Sequence, residues 1–533
     1  MYHRTRLVSL PWSQGIVQSA VAAAPLFTYD FFVAPGGGTG TGSIADPWSI
    51  TYAMGQGPGS AQGDGKLPVT GAHVGMRAGV YNVSNLLCNA HGVLGSGVDN
   101  ADGKLIFRNY NGERANIFGV LPVTDHFTVS ADYVWFWGLE LSRDWANRTT
   151  PINAGAGAWI YQTNNGVKFI HCYGHDGQNC FYISTENNVD SQGRVELYGN
   201  LCFNNGWDGS LGSGGHHVYA KHKGTGNRLA IEHNIFGTTF NYCQQLYGTA
   251  GAGLIEGVDS RWNVHFNGYV LSGGTWPRDG NLVVIGGELA LNDVNFDDNY
   301  GYWPNGYGDV GIIAGWRGDL NNGPLRIRRP YFIGGGSGYG VVRVKGRFIP
   351  QSNLTLDTAI IRPDGASGNR YCVRVEQTNP VSGFGWTTNT WIRLATTTSW
   401  NSLAGQQNFA NWKTATGIGA SDTATATDPA STLVVVDPTT RYEAGRGHVW
   451  YYNWAGLNPI PVNLSPILSP GDNYVVHDAR SGGWGAPVLS GVYGGGFVNF
   501  PNTQMVDPVP TGGAPNVAPA TAPFFNVFLV RKI

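Results

Sequence analysis

Short segments in which apolar and polar residues alternate recur along most of the chain. They read VGMRAG (74–79), LIFRNYNG (105–112), VWFWGLEL (134–141), VKFIHCYG (167–174) and VELYGNLCF (195–203). LAIEHNIFG (229–237), WNVHFNGYV (262–270), DVNFDDNYG (293–301), LRIRRPYFI (325–333) and LTLDTAIIR (354–362) follow. Alternation with period two predicts a strand in each, not a helix. Aligning them places Gly79, Tyr110, Leu139, Cys172, Asn200, Asn234, Asn267, Asn299, Pro330 and Ala359 at one equivalent position. The step is about 30 residues, a period that marks a repeat architecture.

One strand plus turns at a nearly fixed period predicts a parallel β-solenoid of about ten or more rungs. Asn and Gly follow each alternating run, where the chain must turn. Asn200, Asn234, Asn267 and Asn299 are expected to stack as an amide ladder, each bonding to the next rung.

The segments at the two ends of this array carry a resemblance. FFVAPGGGTGTGSIADPWSITYAM (31–54) is similar to the entry of right-handed parallel β-helix proteins of the pectin-lyase-like type. There a first strand and a Gly-rich loop lead into a Pro-preceded capping helix, and Pro47 suits its first turn. NFANWKTATGIGASDT (408–423) resembles the closing rung of such proteins. The resemblance covers residues 28 to about 425 and implies a right-handed parallel β-helix. It is weak on chemistry, because the superfamily includes lyases, hydrolases, epimerases and tailspikes.

After about residue 430 the pattern changes. Alternating strands in 441–500 recur at roughly ten-residue intervals, separated by turn signals, which predicts an antiparallel β-sandwich. Residues 507–523 read as a loop before a last strand at 524–530. The expected domains are thus an arm at 1–27, a β-helix at 28–425 and a small β-sandwich at 426–533. The arm is basic, then mildly apolar, and only partly matches a secretory signal. The sandwich is expected to serve packing or binding. Its Trp450, Trp454 and Trp484 are read as core residues more readily than as sugar-stacking groups.

Composition narrows the classes. The chain has 79 Gly, 18 Trp and 25 Tyr and only 13% charged residues, which excludes a disordered chain. A net charge of −2 gives no footprint for nucleic acid. No apolar run suits a membrane span. The six Cys form no CxxC pair and are expected as buried thiols. APGGGTGTG (34–42) lacks the GKS/T element of a nucleotide loop.

Candidate chemistry concentrates in 171–265, which holds His171, His175, His216, His217, His222, His233 and His265 of the chain's 13 His. Within it NCFYIST (179–185), HHVYAKH (216–222) and QQLYGTA (244–250) align on Tyr182, Tyr219 and Tyr247. If Val218 and Ala220 point inward, His217, Tyr219 and Lys221 share the outer face. Tyr182 and Ser184 would flank them on one rung, and Gln245, Tyr247 and Thr249 on the other. Such a stripe suits a sugar polymer, with rings stacking on sugar and amides bonding hydroxyls.

A β-elimination lyase needs a cation for the uronic carboxylate, a base for the C5 proton and an acid for the leaving oxygen. Lys221, His217 and Tyr219 fit these roles in that order. His175 and Asp176, in GHDGQN (174–179), form a second catalytic candidate. Glu256 and Asp259 join Tyr182, Gln245 and Tyr247 as substrate contacts, or serve with Asp176 and Asp208 as hydrolase carboxylates. Hydrolysis requires two carboxylates about 5–5.5 Å or 6.5–9.5 Å apart. The paired-aspartate signature of β-helix polygalacturonases is missing from this stretch, and the calcium pectate-lyase pattern is not evident. No metal ligands are assigned, and calcium stays open as a cofactor.

The expected function is an extracellular protein acting on an acidic or complex polysaccharide, as a lyase first and a hydrolase second. The alternative is a non-catalytic, tailspike-like or cell-surface β-helix that binds glycan. The enzyme reading implies a monomer, and the tailspike reading a homotrimer at a virion or cell surface. Neither expects a nucleic-acid partner.

Overall fold

The computed structural model describes residues 27–55, 59–97, 99–120, 126–149, 158–160, 165–184, 194–209, 212–224, 226–249, 253–273, 280–304, 306–364, 370–377, 381–393, 396–503 and 505–533. Those residues divide into two compact units. One is Thr28–Ala426 together with Val509–Ala518, and the other is Thr427–Pro508 together with Pro519–Ile533.

The larger unit is a parallel β-helix, as the repeat predicts. Each turn of the chain contributes one short strand to each of three sheets, and every sheet holds twelve strands. The first sheet runs from Phe31–Gly38 to Gly385–Thr387, and the second from Gly79–Val83 to Thr423–Thr425. The third begins at Leu86–Cys88 and ends in an antiparallel pair, Trp400–Ser402 with Gly405–Gln407.

Register explains the interior. One column of the first sheet pairs Phe107, Phe136, Phe169, Leu197 and Ile231 on successive rungs. Period-two alternation sends this column inward, where like residues stack: Phe107–Phe136 centroids are 5.8 Å apart and Phe136–Phe169 4.9 Å. All six Cys are buried free thiols.

The amide ladder exists, with one correction. Asn200 is bonded to Asn234, Asn234 to Asn263, and Asn263 to Asn299, each through backbone N–H and side-chain Nδ2 onto the next Oδ1. Asn263, not Asn267, occupies the rung. The separations of 29 and 36 residues around it depart from an even step, so alignment on the strand slipped. The residues just before the ladder, His233, Trp262 and Asp298, hold φ of 63°, 59° and 52°. The chain turns there through the left-handed region, and the buried amides hold the turn closed.

The entry helix is Ile50–Ala53, capped by Ser49, whose side chain accepts from the Tyr52 amide. Pro47 therefore lies ahead of the cap and not in the first turn. At the other end, helix Phe409–Thr416 begins on the Asn408 side chain and stops at Gly417 in the left-handed conformation. Its Trp412 packs on Trp386 and Trp391.

The smaller unit is a β-sandwich. A five-stranded antiparallel sheet orders Leu433–Pro438, Arg446–Tyr452, Phe525–Lys532, Asn473–Asp478 and Leu489–Val492. A two-stranded sheet pairs Ile460–Asn463 with Phe497–Phe500. Val449, Tyr451, Phe528 and Val530 of one sheet bury against Ile460, Val462 and Phe500 of the other. Trp450 is fully buried, and Trp454 stands edge-on to Phe524.

Candidate functional site

The outer face of the third sheet carries the aromatic stripe. Strands Phe181–Ser184 and Val218–Lys221 pair so that Tyr182 meets Tyr219 and Ser184 meets Lys221. Val218 and Ala220 are fully buried in the core, which turns Tyr219 and Lys221 outward. On the next rung Tyr219 meets Gln245, not Tyr247. The Tyr247 amide donates to the Ala220 carbonyl at 3.0 Å, placing Tyr247 opposite Lys221. The expected alignment was therefore off by two residues. A two-residue shift preserves the face, so Tyr247 remains on the stripe.

Lys221 lies at its centre. Its ammonium donates to the Tyr182 hydroxyl at 3.1 Å and sits 5.2 Å from the Tyr219 ring centroid. The residue is only 6% exposed, and among the described residues no carboxylate forms an ion pair with it. Tyr182 and Tyr219 meet edge to face at 5.1 Å. The Tyr219 hydroxyl reaches Thr249 at 3.4 Å.

The stripe continues on later rungs through residues that the sequence reading did not single out. Val284, Val310 and Ile313 form an apolar floor, with Tyr242, Tyr247, Trp316 and Tyr339 packed against it. The Lys345 ammonium lies 4.0 Å from the Trp316 ring centroid, and the Arg343 guanidinium 4.0 Å from that of Tyr339. Glu376 pairs with both Arg343 and Arg374, at 3.1 and 2.8 Å. IIAGWR (312–317) and VRVKGR (342–347) hold the signal, because both run out of third-sheet strands that pair in matching register. Burial, helped by the Glu288 charge, pushes the Tyr247 phenol up to about 12.

His217 is not on this face. The strand starts at Val218, so the alternation does not extend back to it. Its ring is fully buried and stacks on Phe236, with Nδ1 on the Asn205 amide and Nε2 on the Gly237 carbonyl. Burial pushes the imidazole down to about 3, against the Gly237 hydrogen bond. Both nitrogens are thus engaged, away from Tyr219 and Lys221. His216, its neighbour, stacks on Tyr242 at 5.1 Å.

His175 and Asp176 belong to the second sheet and a separate network. His175 Nδ1 contacts Asp176 at 2.8 Å and Nε2 contacts Glu140 at 2.8 Å. Burial disfavours the imidazolium, but hydrogen bonds to these two carboxylates outweigh it and raise the group to about 9. Burial likewise raises Glu140, and Arg114 and His175 more than offset it, holding the carboxyl below its usual range. Asp176 also pairs with the buried Arg148 and accepts from the Thr511 amide. Segment Val509–Ala518 returns over the β-helix here, with Arg148 Nε donating to the Thr511 carbonyl at 2.8 Å. Each carboxylate is held by cations on two sides, the arrangement of a structural ion chain.

Glu256 and Asp259 stand on strand Ile255–Arg261 of the first sheet, so they do not join the stripe. Glu256 accepts from Asn292 at 2.6 Å. Asp259 pairs with Arg228 and Arg261 and accepts from Asn295. Asp208 is buried and accepts from the Gly273 amide. Among the described residues no group of three His, Cys, Asp or Glu side chains converges as a metal site.

Comparison with known proteins returns β-helices. Pectate lyase Pel9A is 17% identical, over 59% of this chain and 76% of its own, with a TM-score of 0.33. The PL6-family alginate lyase AlyGC is 12% identical, over 63% of this chain and 51% of its own, with a TM-score of 0.33. A tailspike protein of E. coli bacteriophage HK620, in complex with a pentasaccharide, is 10% identical over 87% and 83%, at 0.31. No protein-family model and no curated protein matches the chain. Similarity at this level concerns the fold. Among the described residues, no helix is long and apolar enough to cross a membrane.

Proposed function

We propose that the protein acts on an acidic polysaccharide laid across the rungs of the third sheet, and cleaves it by β-elimination. The observation that supports this most is Lys221, a nearly buried cation without a carboxylate partner among the described residues, set between two tyrosine rings. Burying an unpaired charge is costly unless another group compensates it. A uronic carboxylate does so, and the exposed edges of Tyr182 and Tyr219 then flank the sugar ring.

In this reading Lys221 neutralises the substrate carboxylate and acidifies C5. Tyr182, whose hydroxyl accepts from Lys221, takes the C5 proton in its phenolate form. The C4–O bond breaks as the C4–C5 double bond forms, and Tyr219 donates its proton to the leaving oxygen. Tyr247, Trp316 and Tyr339 extend the platform for further sugar units. The site of action is extracellular or at a cell or virion surface, where such polymers occur.

The later rungs favour a second reading. There the stripe has stacking rings and paired cations over an apolar floor, which suits a non-catalytic, tailspike-like binder and a homotrimer. Ultraviolet absorbance of the unsaturated product, screened over uronic-acid polysaccharides with and without calcium, separates the two. A signal lost in Tyr219→Phe and Lys221→Met supports the lyase. Binding without product, from a particle of three chains by light scattering, supports the second reading.

A further inference from the structure

A cavity of about 320 Å3 opens beside the late rungs, among residues that follow the third sheet. Ligand pockets span roughly 300–1,000 Å3, so this one has room for a single small ring and not for a chain. Its apolar walls include Phe348 and Phe384, which meet edge to face at 6.3 Å. Ile349 also lines it and is 49% exposed.

The polar groups of the cavity are few and partly unsatisfied. Arg347 Nε is buried with no hydrogen-bond partner. Its Nη2 makes only a long contact, 3.4 Å, to the Asp319 carbonyl. The Asp319 carboxylate is taken by Arg317, at 2.9 and 2.6 Å. Arg347 therefore lines the cavity without a direct ion pair among the described residues, its charge reaching the Asp319 carboxylate only at longer range. Gln377 donates through Nε2 to the Lys345 carbonyl, and Gln351 accepts through Oε1 from the Gly383 amide, each at 2.7 Å. These bonds fix both amides and leave one acceptor, Gln377 Oε1, and one donor, Gln351 Nε2.

We infer that this cavity is a binding site for one hexuronic-acid unit, distinct from the stripe around Lys221. One guanidinium that makes no direct ion pair among the described residues matches a single carboxylate, and its buried unpaired Nε–H is worth satisfying. The two fixed amides supply a donor and an acceptor for ring hydroxyls. The Phe348 and Phe384 walls cover the C–H face of the ring.

The test uses the full chain and three probes: sodium glucuronate, glucose and cyclohexanecarboxylate. Binding is followed by saturation-transfer NMR and by fluorescence of Trp386, which stacks on Phe384 at 6.3 Å. Saturable glucuronate binding is expected, with both other probes at least about tenfold weaker, or about 1.4 kcal/mol. Measured in a Lys221→Met background, which removes the other carboxylate site, Arg347→Met and Val381→Trp, the latter filling the cavity, are expected to abolish it. In the same background Arg347→Lys should restore part. Melting curves of each variant establish that the fold is kept. Equal affinity for glucose, or for cyclohexanecarboxylate, overturns the assignment. So does binding that survives Val381→Trp, or no binding of glucuronate at all. The polysaccharide reading can fail at Lys221 while this site stands, because the two depend on different variants.

Discussion

Tyr182 and Lys221 stand on adjacent rungs, with the Lys221 ammonium donating to the Tyr182 hydroxyl at 3.1 Å. This contact is the one hydrogen bond of the ammonium among the described residues. An ammonium has three N–H donors, and the spare ones give the first prediction.

Lys221→Met is expected to leave the unfolding free energy unchanged, or to raise it by about 1 kcal/mol, because it removes a desolvated charge that has no counter-ion among the described residues. Glycan affinity in the same variant should fall at least about tenfold. Urea unfolding and a binding titration measure the two. A loss of about 3–5 kcal/mol in stability would instead mark Lys221 as a structural group.

Asn234→Ala breaks the ladder at its middle. It removes the acceptor for the Asn200 backbone and side-chain amides and the donors to Leu197 and Asn263. Each buried polar group left unpaired costs about 1–3 kcal/mol. A loss of roughly 3 kcal/mol or more is expected in denaturant unfolding followed by circular dichroism.

His175 makes stability fall in mild alkali. Its folded value is raised to about 9 by Asp176 and Glu140, against an ordinary 6.5. The contribution is therefore complete below about pH 6.5 and is lost as the pH rises through 9. It amounts to roughly 1–3 kcal/mol. Unfolding curves between pH 6 and pH 9.5 should show the decline, and His175→Gln should flatten it.

His126, His216, His217 and His265 act in the opposite direction. Burial pushes each down to about 3, so all four are neutral in the fold. The unfolded chain takes up protons below about pH 6.5, so their contribution is lost as the pH falls from there toward 3. Each costs about 1.4 kcal/mol for every pH unit in that window. Stability measured at pH 5 and pH 7 should differ by several kcal/mol, and less so in His217→Gln.

The solenoid was legible because a repeat multiplies one weak signal. Tyr182, Tyr219 and Lys221 were legible for the same reason, since inward Val218 and Ala220 fix the face between them. Errors came where the periodicity ends. His217 lies one residue before its strand, and the Asn263 rung is reached over an uneven step. Asp259 was close in sequence to the stripe, but a three-sheet turn carries it onto a different face. Trp316 lies in a turn, outside the alternation that was being followed. The return of Val509–Ala518 to the β-helix left no pattern, because that stretch has no period to read.

The ends of the stack set how long the molecule can grow. At one end the antiparallel pair Trp400–Ser402 and Gly405–Gln407, with the buried Trp412 behind it, interrupts the parallel pattern. A bare parallel rung presents a row of open amides and carbonyls that a second molecule could extend. By ending one of its three sheets against the grain and following it with helix Phe409–Thr416, the chain limits an architecture that could otherwise continue as a fibre. A chain truncated ahead of residue 400 is expected to join end to end, visible as filaments by electron microscopy.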